Sequence, residues 1–207
     1  MSAACFPQID GLSVDLVALA SISHRCDPSG CSPSAHCCSA YDLWVSGAEA
    51  DAVAAHLSAV AEFARHLAGA TREDVLQRLA EDAYAVRRDR MGRCLLAYDA
   101  ADGSVLCSLH TVAERRCLPL RDVKPEPCRL WPLSTTSSIP PVLGVQEGAM
   151  RYPCNRARDA ALGGLDPAIA GILRDVFGTP FLRKVARLLG SRSGEGCRGW
   201  AGTVGCG

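Results

Sequence analysis

The sequence predicts an α+β fold that is mainly helical, with one small β-hairpin and cysteine-rich loops. Three observations predict it. Two capping-box signatures open stretches of helical periodicity. Two short apolar runs flank a turn within residues 94–107. A segment rich in Cys, Ser, Pro and Gly, residues 24–40, carries no regular period.

Taken in order, Leu12, Val14, Leu16 and Val17 read as a strand. Residues 24–40 contain Asp27-Pro28 and Ser32-Pro33 and read as a loop. Ser46-Gly47-Ala48-Glu49 has the S-x-x-E form of a capping box, and Ala50, Val53, Ala54, Leu57, Ala61, Ala64 and Leu67 follow at helical spacing. Gly69 ends that helix. Thr71-Arg72-Glu73-Asp74 is a second cap. Val75, Leu76, Leu79, Ala80, Ala83 and Val86 then predict a second helix to about Arg90, antiparallel to the first. The runs Cys94–Tyr98 and Val105–Cys107, around Asp99–Gly103, predict a hairpin that brings Cys94 and Cys107 together. Ser108–Arg116 reads as a short helix. Lys124–Pro132 cannot continue a helix because of its prolines. Gly163-Gly164 is a break, and Leu165–Leu189 is helical, interrupted by Gly178 and Pro180. One domain is expected over residues 1–190, with its core at 24–154. Residues 191–207 are expected to be a flexible glycine-rich tail.

The totals narrow the function classes. The chain has 207 residues, is 48% hydrophobic and has zero formal net charge. Phosphate-backbone binding draws on basic charge, and aromatic residues are only 5% of the chain, so no nucleic-acid partner is expected. No apolar run approaches a membrane span, and Met1–Pro7 has no basic region of the signal-peptide kind. The expected location is the cytoplasm, where thiols stay reduced.

That reading gives the 12 cysteines their meaning. Reduced thiols in number point to metal or redox chemistry. Zinc takes four ligands, and iron–sulfur clusters use cysteine thiolates, typically four per cluster. The candidate metal ligands are Cys26, Cys31, Cys37 and Cys38 at one end, and Cys94, Cys107, Cys128 and Cys154 downstream. Four plus four allows two mononuclear sites, one polynuclear site, or one cluster with spare thiols. Arg129 is the candidate to offset thiolate charge beside the bound group. Cys5 and Cys117 read as bystanders. Cys197 and Cys206 read as bystanders or as an accessory thiol pair. His36 and His110 stand near the cysteines as supplementary ligands or as their hydrogen-bond supports.

The set Cys26–Cys38, Cys94-x12-Cys107 and Lys124-Pro125-Glu126-Pro127-Cys128-Arg129-Leu130-Trp131-Pro132 resembles the YkgJ-type cysteine-cluster family of zinc- or iron-chelating proteins, and most closely a related branch of it. The likeness spans about residues 24–154. The family carries a CxxCxxCC-like opening, a hairpin with two cysteines and a KPxxCxLYP-like element. Here Trp131 stands in the aromatic position, and Cys31 and Cys37 are separated by five residues. The resemblance implies a metal-chelating protein holding iron, an iron–sulfur cluster or, as the alternative, zinc. A metal-dependent modifier of a peptide or protein substrate, by methylation or oxidation, is a second expectation. A thiol redox or metal-delivery protein is a third.

Overall fold

The fold, seen in a computed structural model that describes residues 6–27, 36–39, 42–160 and 163–192, is an α+β arrangement around two hydrophobic cores. Strands β1 (Gln8–Ile9) and β2 (Leu12–Val14) pair antiparallel across Asp10 and Gly11, which both adopt positive φ (49° and 85°). The predicted strand stops at Val14. Asp15 turns the chain by accepting the Ala18 N–H at 2.9 Å, so Leu16 and Val17 open helix α1 (Leu16–Ala20) instead. Strand β3 (Ile22–His24) leads into residues 25–27. Cys37–Ser39 form a single 3₁₀ turn. Cys5, Cys31, Cys197 and Cys206, and the expected tail from residue 193 on, lie outside the described residues.

The first core is built by residues 43–123. Strand β4 (Trp44–Ser46) runs into helix α2 (Gly47–Ala55), whose capping box is present: Ser46 accepts the Glu49 N–H, and Glu49 accepts the Ser46 N–H at 2.9 Å. The helical stretch predicted to Gly69 is split after His56 into α3 (Leu57–Val60) and a 3₁₀ turn at Arg65–Leu67.

The second predicted helix is the larger correction. Its cap at Thr71 and Asp74 forms, but α4 (Arg72–Val75) is one turn long. Strands β5 (Leu76–Ala80) and β6 (Ala83–Val86) follow as a hairpin across Glu81-Asp82, and β6 also pairs with β4. Val75, Leu76 and Val86 are buried, while Leu79 is 48% exposed. The apolar spacing that suggested a helix was therefore partly surface residues. Pairing with β4 captures this segment as sheet, a tertiary choice that local periodicity cannot encode. No antiparallel helix pair exists here.

Cys94 follows, bridged to Arg88. The predicted hairpin is present as β7 (Ala97–Asp99) and β8 (Val105–Cys107), but its register pairs Cys107 with Ala97, not with Cys94. Helix α5 (Ser108–Arg115) matches the prediction. After α6 (Leu120–Val123), the proline-rich element does form a short helix, α7 (Glu126–Leu130). Pro127 is tolerated because it stands in the first turn, where its missing N–H has no intrahelical acceptor.

The second core joins both ends of the chain. Strand β9 (Leu133–Thr135) pairs with β10 (Val142–Val145), which pairs parallel with β2. Strand β11 (Asn155–Ala157) pairs with β3. After Gly163 and Gly164, both at positive φ, comes α8 (Pro167–Arg192), broken as expected at Gly178 (φ 85°, ψ 166°) beside Pro180. Small sheets thus take a larger part than one hairpin. Leu130 of α7 belongs to the second core, while Cys128 on the same helix packs against the first. Helix α7 is the seam between them.

Candidate functional site

The local chain explains how the cysteines gather at that seam. The 3₁₀ turn at Cys37–Ser39 is closed by Ser39 N–H to the His36 carbonyl, with the His36 side chain buried. The Cys38 carbonyl then accepts the Cys94 N–H at 3.0 Å, tying the N-terminal cysteines to the stretch before β7. Cys107 ends β8 and precedes α5. Cys128 is held in α7 by its N–H to the Pro125 carbonyl at 3.0 Å. A cavity of about 40 Å³ is the result, lined by Cys37, Cys38, Cys94, Cys107, Cys128 and Lys124, with aliphatic side chains and Trp131 completing the wall. One water needs about 10–15 Å³ measured this way, so the space suits an ion or a few waters.

Cys26 and Cys154 stand at the flank. Cys26 is exposed and feels the charges of Cys37 and Cys154. Burial raises the Cys154 thiol, the nearby Trp131 indole partly offsets that rise, and the indole meets the Tyr152 ring edge-on at 5.1 Å. The structure therefore brings together seven of the eight sequence candidates, and the eighth, Cys31, lies outside the described residues. Cys117 is exposed at positive φ (51°) and does not line the cavity, as expected of a bystander.

Electrostatics divide the thiols. The Cys38 thiol donates to Cys37, lowering Cys37 to about 6, while that same contact and burial push Cys38 well up. Burial raises Cys94 to about 12, with the charge of Cys107 adding to it. Burial also raises Cys128. Lys124 is the cation among them. Burial disfavours its charge, but Cys107, Cys128, Cys37 and Cys38 outweigh that, and its pKa is raised. It has no carboxylate partner among the described residues. Arg129 is engaged elsewhere, with Asp175 of α8 at 2.9 Å and with the Lys124 carbonyl at 3.2 Å. Lys124, and not Arg129, is the cation that lines the thiol cavity. The signal for Lys124 in the sequence is its place just before Pro125 in the same element as Cys128.

His110 pairs with Glu114 at 3.2 Å, and burial followed by Lys124 lowers its pKa. Among the described residues, no group of three or more His, Cys, Asp or Glu side chains is arranged to hold a metal ion. The thiols share a cavity without converging on one point. No helix among the described residues is long and apolar enough to cross a membrane.

No family model, no curated protein and no solved structure matches the chain.

Proposed function

We propose that this protein chelates a metal through the thiolates around the seam cavity. The observation that carries the reading is the donor set itself: five thiols from four separate segments line one small cavity with a single lysine. Thiols crowded around one cavity are costly to ionise together unless a cation takes the charge, and a soft metal is the group thiolates suit. Cys37, Cys38, Cys94, Cys107 and Cys128 would hold it, with Cys26 and Cys154 next to them. The protein's own contribution is Lys124, which offsets thiolate charge, and an aliphatic wall that limits water. Iron, alone or as an iron–sulfur cluster, is favoured over zinc, because there are more thiols than one closed zinc site uses.

The test is purification without air, followed by metal and sulfide analysis and visible spectra. Stoichiometric metal, lost in Cys128→Ser, is expected. Colourless protein with one zinc and no sulfide removes iron. Protein without metal, unable to take up either ion, removes the proposal.

A second reading rests on Cys37, a residue at the surface end of the cavity whose thiol is held at about 6 by Cys38 against burial. That is the setting of a reactive thiolate, and it supports a thiol redox role. Alkylation at pH 7 separates the two readings. Metal shields Cys37 in the first, whereas in the second Cys37 reacts fastest and metal makes no difference.

A further inference from the structure

A second cavity, of about 490 Å³, opens beside the thiol site along the β3–β11 ribbon. The register sets Ser23 opposite Arg156, and the Arg25 N–H to Cys154 carbonyl bond (2.8 Å) continues the pairing by one residue. Side chains alternate between faces of a strand, so Ser23, Arg25, Cys154 and Arg156 share one face. All four line the cavity. Arg25 and Arg156 are diagonal cross-strand neighbours, a relation that spans about 7–8 Å. Both are exposed, and neither guanidinium has a hydrogen bond or ion pair among the described residues.

Two cations at that spacing repel unless an anion lies between them. Asp27 and Asp166 also reach the cavity, but Asp166 is committed to the start of α8, where it accepts the Ala168 N–H at 2.9 Å. The volume falls within the range of about 300–1,000 Å³ that small-molecule sites occupy. A guanidinium fork matches the two oxygens of a carboxylate or phosphate.

We propose that this groove binds a small molecule bearing a carboxylate or phosphate group, clasped between Arg25 and Arg156 with the Ser23 hydroxyl beside it. The inference does not rest on a metal at the thiols. A ligand held there abuts Cys154, whose thiol lies near the Trp131 indole of the seam cavity wall, so it is presented to the edge of that cavity.

The experiment is calorimetric titration of the full chain at low ionic strength, with inorganic phosphate in one arm and citrate in the other. Saturable one-site binding is expected in at least one arm. The phosphate arm alone points to a phosphate ester, and the citrate arm alone to a carboxylate. Arg25→Gln and Arg156→Gln should each weaken binding about tenfold or more, since each removes charge-assisted bonds. Arg151→Gln, outside the cavity, should leave it unchanged. No saturable binding of either anion by the wild-type chain overturns the proposal, as does wild-type affinity retained in both glutamine variants of the groove.

Discussion

Lys124 and Arg129 stand five residues apart in one sequence element, yet they do different work. Lys124 faces thiols, whereas Arg129 ties α7 to α8 through Asp175. Lys124→Met should weaken metal retention, measured by competition with a coloured chelator, and Lys124→Arg should restore part of it. Arg129→Ala should lower stability by about 1–2 kcal/mol, because it removes a partly solvated ion pair and the bond to the Lys124 carbonyl, and should cost less metal than Lys124→Met.

A second residue-scale prediction concerns acid. Burial opposes ionisation of Asp89, but bonds from the Arg93 N–H, the Arg93 side chain and the Met91 N–H prevail, and its carboxyl is held below the usual range. A depressed folded pKa contributes stability above the unfolded value, about 3.9, and that stability is lost as pH falls through the folded value. Asp89→Asn should therefore melt earlier than wild type at pH 7, with the gap closing as pH falls through the unfolded value of about 3.9 and then the lower folded value. The cysteines were legible as residues because their type is informative in itself. Lys124 was not. Lysine ordinarily lies in solvent, and only contacts from β8, α7 and the Cys37–Ser39 turn give it a different setting.

Helix starts were the readable elements. The Ser46–Glu49 box rests on four adjacent residues and formed as written. Its glutamate also does something no local pattern announces: the other carboxylate oxygen accepts the Glu126 N–H at 2.7 Å, where α7 begins. Ser46→Ala should cost about 1 kcal/mol, a fall of about 2–4 °C in melting temperature for a chain of this length. Glu49→Ala should cost more, because it uncaps both α2 and α7. It should also loosen metal held through Cys128, which Ser46→Ala should not. Paired melting curves and metal counts check this. Elements defined by pairing were less legible. The β7–β8 hairpin is announced by its turn residues, whereas β5–β6 turns at Glu81-Asp82 without a glycine and its apolar spacing reads as helix.

At the scale of the molecule, two cores meet at α7, with Leu130 on one side and Cys128 on the other. Leu130→Ala should cost about 2–5 kcal/mol, as buried leucines do, and should also release metal although no ligand is touched. Calorimetry with parallel metal analysis measures both. Retained metal in a destabilised Leu130→Ala protein would falsify the link between seam packing and thiol placement. The seam was invisible beforehand, because each core joins segments far apart in the chain. Residues 9–22, for example, pack with residues 165–189.

Trp131 is the wall between the two cavities. It lines the first, and its indole lies near the Cys154 thiol that lines the second. Indole emission responds to a heavy or redox-active neighbour by quenching and to a changed hydrogen bond by a spectral shift. Of the two tryptophans among the described residues, Trp131 is 6% and Trp44 66% exposed, so of this pair the bluer emission comes from the seam. The molecule therefore carries its own fluorophore at the partition, where filling one chamber dims the signal and filling the other moves its colour.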